Sequence, residues 1–146
     1  MESPSLHRLA YVSTYRSGRV DGELTALRAI LSVSRKNNEA ADVTGYLIFD
    51  GESFIQVLEG PHDALQATMD RIARDERHRD VAVLATQPIE TRSFREWKMG
   101  GYRRTPAQDP IFAAHGILGK IDRSRIDYET AVSLAQALSL GDARSP

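Results

Sequence analysis

An α+β fold is predicted by three observations. Strand-like and helix-like periodicities alternate along the chain, a glycine-centred turn joins two of the strand-like runs, and helical patterns return after the last strand. With 146 residues, 41% of them hydrophobic and 27% charged, the chain suits one globular domain with a sizeable core.

Residues 6–14, LHRLAYVST, suit a strand, and YRSGRVDG after them a loop. Asp21 can cap the helix that follows, which carries Glu23 in its first turn. In that helix Leu24, Leu27, Ile30, Leu31 and Ser34 fall on one stripe, and Asn38 lies one turn beyond Ser34. An apolar face therefore ends in an amide. VTGYLIFD, residues 43–50, and residues 53–59 are strand-like runs joined by Asp50-Gly51-Glu52, a hairpin whose glycine can take φ > 0. After Gly60-Pro61 a second amphipathic helix runs from about His62 to Arg74, with Leu65, Met69 and Ile72 as its stripe. VAVLATQPIE, residues 81–90, reads as a strand, and SFREWKMGGYRR, residues 93–104, as a last strand after a turn. Beyond the Pro106-to-Pro110 linker, IFAAHGILGK and YETAVSLAQALSL read as two short helices, the second with an apolar stripe of Ala131, Leu134, Ala135 and Leu138.

This order is a ferredoxin-like βαββαββ sheet with two helices on one face, plus a C-terminal pair of helices. Right-handed crossovers are expected to make the first and third strands parallel central neighbours. Alternation groups Phe54, Gln56 and Leu58 on one face of the third strand and Ile55, Val57 and Glu59 on the other. In the first strand Leu9, Tyr11 and Ser13 separate likewise from Ala10, Val12 and Thr14. Both faces are partly apolar, so the face away from the two helices needs a cover. The C-terminal helices can lie on it, bind a second subunit, or do both.

Composition excludes several function classes. A formal net charge of -1 offers no basic excess for phosphates, so nucleic acid is not expected as a main partner. Without cysteine there are no disulfides, thiolate metal sites or cysteine nucleophile. His7, His62, His78 and His115 show no ligand spacing, and no metal is expected. No apolar run approaches the ~20 residues of a membrane span, and MESPSLHR lacks a signal-peptide apolar region, so a cytoplasmic location without membrane association is expected.

If Tyr11 and Gln56 point to the same face of adjacent strands, a phenol, an amide and the Asn38 amide converge between two apolar helices. Polar groups without charge suit a neutral, planar, heteroatom-rich ligand better than a phosphate or a metal. An electron-rich phenol beside such a ligand suggests redox chemistry or photochemistry. Taken singly, each residue has an ordinary reading: a packed core tyrosine, a helix-end asparagine cap, an exposed strand glutamine. Trp97 and Met99, two apart on one strand face, read as core, and Arg71, Arg74, Arg77, His78 and Arg79 as a solvated helix end. Ser17-Gly18-Arg19-Val20-Asp21-Gly22 resembles the opening of acylphosphatases, which are also ferredoxin-like. The next residues depart from that family's pattern, and Glu23 sets a negative charge where a phosphate would sit at the helix N-terminus. An acylphosphatase-type enzyme or a light-insensitive flavin-binding module is the alternative reading.

The tyrosine in RLAYVS, SRKNNEAADVTGYL, FIQVLEGP, RDERH and FREWKM occur in an order and spacing that resemble a BLUF domain, the flavin-binding blue-light sensor, over about residues 5–104. The resemblance implies a non-enzymatic photoreceptor of the short BLUF type. It implies FAD as cofactor, with FMN or riboflavin sharing the same ring contacts. Tyr11 would donate in light-driven electron and proton transfer, and Gln56 would be the switching amide. Asn38 would bond the ring edge with help from Asn37, and Ile30 would lie along the ring. Arg77 and His78 would face the ribose and phosphate, and Trp97 and Met99 would relay the signal. Residues 105–146 would form a helical extension for output or dimerisation, toward a homodimer or larger homo-oligomer and an unidentified downstream protein.

Overall fold

Asp50 builds the turn that sets the sheet. In the computed structural model, which describes residues 5–15, 22–76, 78–94 and 100–140, its Oδ1 accepts from the backbone N–H of Glu52 at 2.9 Å and of Ser53 at 2.7 Å. Between them Gly51 takes φ +98°, where a side chain would be strained. The turn folds β2 (Thr44–Phe49) against β3 (Ser53–Pro61) as an antiparallel hairpin that pairs Leu47 with Gln56. On its other side β3 pairs with β1 (Leu6–Tyr15), setting Tyr11 opposite Gln56. β4 (His78–Pro88) pairs antiparallel with β1, and β5 (Gly100–Arg103) parallel with β2, giving the order β4-β1-β3-β2-β5.

The first and third strands are thus central neighbours, but antiparallel rather than parallel. α1 (Gly22–Ala41) carries the chain from β1 to a parallel β2. β3, as the returning arm of the hairpin, is inserted between them and must oppose both.

Strand parity decides what each face buries. Leu9, Tyr11, Leu47, Phe54 and Leu58 pack with Ile30 and Leu31 of α1 and with Leu65 and Met69 of α2 (His62–Arg74). Ala10, Val12, Tyr46, Ile48, Ile55 and Val57 pack with α3 (Asp109–Ala114) and α4 (Tyr128–Leu140) through Phe112, Ala131, Leu134, Ala135 and Leu138. The C-terminal helices are therefore the cover of the second face. Their apolar stripe is buried in the chain's own core and does not present itself to a second subunit. Asp127 starts α4, its Oδ1 accepting from Thr130 N at 2.8 Å.

Two boundaries differ from the sequence reading, the start of β4 and the end of α3, each for a local reason. α1 runs to Ala41, where Asp42 takes φ +59° and Val43 N–H donates to Asn38 C=O at 2.9 Å, so Asn38 sits in its last turn. α2 ends at Arg74 as expected, and the extended backbone of Asp75 turns the chain into β4, which starts at His78 rather than at residue 81. His78 and Arg79 therefore lie on a strand, not on a solvated helix end. The helix expected over residues 111–120 is only Asp109–Ala114, because Gly116 and Gly119 take φ +80° and +76° beyond it. Among the described residues no helix is long and apolar enough to cross a membrane.

Candidate functional site

Between α1, α2 and the sheet lies a cavity of about 580 Å³, counted to its open mouth. The strands supply its floor. Tyr11 of β1 and Gln56 of β3 are cross-strand partners on the helix side, and both are withdrawn from water, at 0% and 2% exposure. The Tyr11 hydroxyl donates to Gln56 Oε1. With Oε1 engaged, the amide nitrogen of Gln56 is left to serve other partners.

One wall comes from α1. Ile30, Val33, Ser34, Asn37 and Asn38 recur at helical spacing along the cavity, and Asn38 is 1% exposed. The opposite wall comes from α2 through Thr68, Arg71, Ile72 and the adjoining Asp75. The Thr68 hydroxyl donates to Ala64 C=O at 2.8 Å and accepts from Arg71 at 3.3 Å, which lays the Arg71 guanidinium back along the helix. His78 closes the end nearest Tyr11. Its Nδ1 lies 2.8 Å from Ser13 Oγ, and its ring meets Tyr11 edge-on at 6.2 Å and Phe54 at 4.5 Å.

Burial dominates the electrostatics of the phenol. Desolvation pushes the Tyr11 pKa well above its ordinary value, and the negative charge of Asp75 pushes it the same way. Tyr11 is accordingly a neutral phenol that acts as a hydrogen-bond donor.

The donor set fits the edge of a flavin ring, which presents carbonyl acceptors and one N–H donor side by side. Primary amides such as Asn38 and Gln56 both donate and accept, and Ile30, Leu58 and Ile72 supply apolar surface for the ring faces. Of the residues singled out in the sequence, Tyr11, Ile30, Asn37, Asn38, Gln56 and His78 line this one cavity. Arg77, Trp97 and Met99, the Asp21 cap and the Ser17-to-Asp21 part of the acylphosphatase-like motif lie outside the described residues. Sequence reasoning gave no site role to Ser13, Thr68, Arg71 or Asp75. Ser13 shares the parity of Tyr11, and Thr68, Arg71, Ile72 and Asp75 recur at i, i+3, i+4 and i+7, signals that mark a common face once the cavity is known.

Comparison with known proteins meets this geometry independently. The family model described as BLUF, sensors of blue-light using FAD, matches residues 6–100. The chain is 30% identical over 135 residues to the photoactivated adenylate cyclase subunit beta of Euglena longa, covering 88% of this chain and 14% of that protein. It is 33% identical over 81 residues to the blue light- and temperature-regulated antirepressor BluF of Escherichia coli, covering 55% of this chain and 20% of that protein. The chain thus spans a fifth or less of the length of these two relatives. Among solved structures, BlsA in its photo-activated state superposes with a TM-score of 0.83 at 25% identity, covering 97% of this chain and 98% of that one.

Proposed function

Because this chain belongs to the BLUF family of flavin-using blue-light sensors, we propose that it is a photoreceptor that holds FAD between α1 and α2 and reports blue light by rearranging the Tyr11–Gln56 pair. The observation that carries this reading is the buried Tyr11 hydroxyl bonded to the buried Gln56 Oε1 on the floor of an amide-lined cavity.

A bound flavin supplies absorption in the blue and, once excited, a strong pull on an electron. Tyr11 answers that pull because its bond to Gln56 gives the phenolic proton an exit. Were Tyr11 to give an electron to the excited flavin, its hydroxyl would become strongly acidic, and Gln56 Oε1, which already accepts its hydrogen bond, would take the proton. When the electron comes back, Gln56 would return one proton to Tyr11, either from Oε1, leaving an amide able to rotate, or from its nitrogen, leaving the tautomer, and in both cases with a different pattern of donors and acceptors. A 2%-exposed amide does not exchange freely with water, so the new pattern persists until the side chain turns back.

The surrounding residues divide the remaining work. Asn38 and Asn37 hold the ring edge and Ile30 lies along the ring. His78, steadied by Ser13, closes the cavity beside Tyr11, and Arg77 takes the ribose and phosphate. Trp97 and Met99 follow the amide's rearrangement. Residues 5–104 act as the sensor and residues 105–146 as the output element, which acts on a second copy or a downstream protein in the cytoplasm and catalyses no reaction of its own.

The test is the absorption spectrum of the purified chain, dark and after blue light. A yellow protein whose visible band shifts reversibly is expected. Failure to bind any flavin on reconstitution would overturn the cofactor assignment, and a flavin band indifferent to light would leave a flavoprotein without a switch.

A further inference from the structure

Gln56 is not the only polar residue buried on β3. Glu59, three positions along and on the opposite face, is 0% exposed, beside the apolar layer that holds α4. A carboxylate there is tolerated only if its oxygens are satisfied. Oε2 accepts from Arg8 Nε at 2.8 Å and from Ser93 N at 3.0 Å, with Arg8 Nη2 at 2.7 Å, while Oε1 accepts from Phe94 N at 2.7 Å.

Two of these donors are backbone groups of a segment distant in sequence. Ser93 and Phe94 lead toward β5, and Arg92 beside them donates to Thr44 Oγ1 at 2.9 Å, Glu59 C=O at 3.1 Å and Asp42 C=O at 2.8 Å. Residues 92–94 are thereby fixed to the end of the β2–β3 hairpin. From Ser93 the network continues outward, for its hydroxyl accepts from Arg8 Nη2 at 2.8 Å and from Gln136 Nε2 of α4 at 3.0 Å. An unbroken polar chain thus runs from β3 through Ser93 to α4. Elsewhere the described sheet-to-α4 contacts are apolar packing, which tolerates small slips, whereas a hydrogen bond breaks over a fraction of an ångström.

We infer that the Glu59 carboxylate and the Ser93 hydroxyl are the coupling element by which a rearrangement of Gln56 on one face of β3 reaches α4 on the other. The inference rests on the photoreceptor reading above. A shift of β3 carries Glu59 with it, Glu59 carries the 93–94 backbone, and Ser93 makes or breaks its bond to Gln136. These are positioning residues and none of them touches the cofactor cavity. Ser93 is exposed and Gln136 half-buried, so substitutions there leave the buried Glu59–Arg8 pair in place.

The test uses the full chain loaded with flavin, as wild type, Ser93→Ala, Gln136→Leu and the rescue variant Ser93→Thr. Each is measured for the light-induced shift of the flavin band and for the dark-minus-light difference in amide hydrogen exchange over residues 128–140. Ser93→Ala and Gln136→Leu are expected to keep the band shift and lose the α4 exchange difference, while Ser93→Thr, which keeps a hydroxyl, retains both. An α4 difference unchanged in Ser93→Ala and Gln136→Leu overturns the coupling element, as does a wild type whose band shifts with no change in α4. A wild type without a band shift fails the photoreceptor reading instead, so the two failures are told apart.

Discussion

Replacing Gln56 by leucine tests the central pair through thermodynamics as well as light. The Tyr11 hydroxyl is fully buried and donates to Gln56 Oε1, so Gln56→Leu strands a donor away from water at a cost of about 1–3 kcal/mol. Tyr11→Phe removes the donor and leaves Oε1 one partner short, with a loss of about 1–2 kcal/mol by the same reasoning. The double variant removes both partners of this bond together, so neither is stranded by the loss of the other. The single losses should therefore exceed the double loss, giving a coupling energy of about 1–3 kcal/mol. The assay is urea unfolding of the four flavin-free proteins followed by circular dichroism, which keeps ligand mass action out of the comparison. Equal m-values across the set establish that only stability has changed. Additivity within about 0.5 kcal/mol would show that the two side chains are not coupled in the folded protein. In the flavin-loaded proteins both single variants should retain cofactor and lose the reversible band shift. An undiminished photocycle in Gln56→Leu would refute its role as the switching amide.

Two further substitutions probe the cavity and the sheet that floors it. Asn38→Ala removes a 1%-exposed amide from the cavity wall. Its loss should weaken flavin binding by about 1–3 kcal/mol, or roughly 5- to 150-fold in Kd, measured by titration of the flavin-free protein; unchanged affinity would place the ring edge elsewhere. Gly45→Ala would bring a Cβ to 2.2 Å from Val57 O and 3.2 Å from Leu58 Cα. Both are backbone atoms of β3, so the hairpin must separate; a loss of about 3 kcal/mol or more in urea unfolding is expected, and near-wild-type stability would mean that the pairing register is different.

The fold was largely legible because strand parity and helix periodicity act locally. Parity groups Tyr11 with Leu9 and Ser13, and Gln56 with Phe54 and Leu58, so a single condition, which face the two strands share, remained for the pairing of β1 with β3 to meet. The C-terminal helix could be drawn as Tyr128–Leu140 because Ala131, Leu134, Ala135 and Leu138 keep helical spacing. The direction of β1 against β3 was misread, though the hairpin already implied it: a strand returning from a tight turn opposes the one before it, and therefore opposes any strand parallel to that one. The start of β4 and the end of α3 were not legible because single residues' backbones decide them. Asp75 is extended before β4 and Gly116 takes a positive φ after α3, and neither residue type is bound to that conformation.

Gln56 and Glu59 show where legibility within the site ends. Each is a polar residue buried on a strand, so each needs a partner, and parity assigns the two to opposite faces. The partner of Gln56 could be anticipated because it lies directly opposite on the neighbouring strand, where pairing restricts the candidates to a few residues. The partners of Glu59 could not, since two of its four donors are backbone N–H groups of residues 93 and 94, and any non-proline residue carries such a group. A buried carboxylate held by backbone donors leaves almost no compositional trace at the positions that hold it. It constrains their place in space instead of their identity, and so the link from the sensing strand to α4 emerges only when the chain is folded.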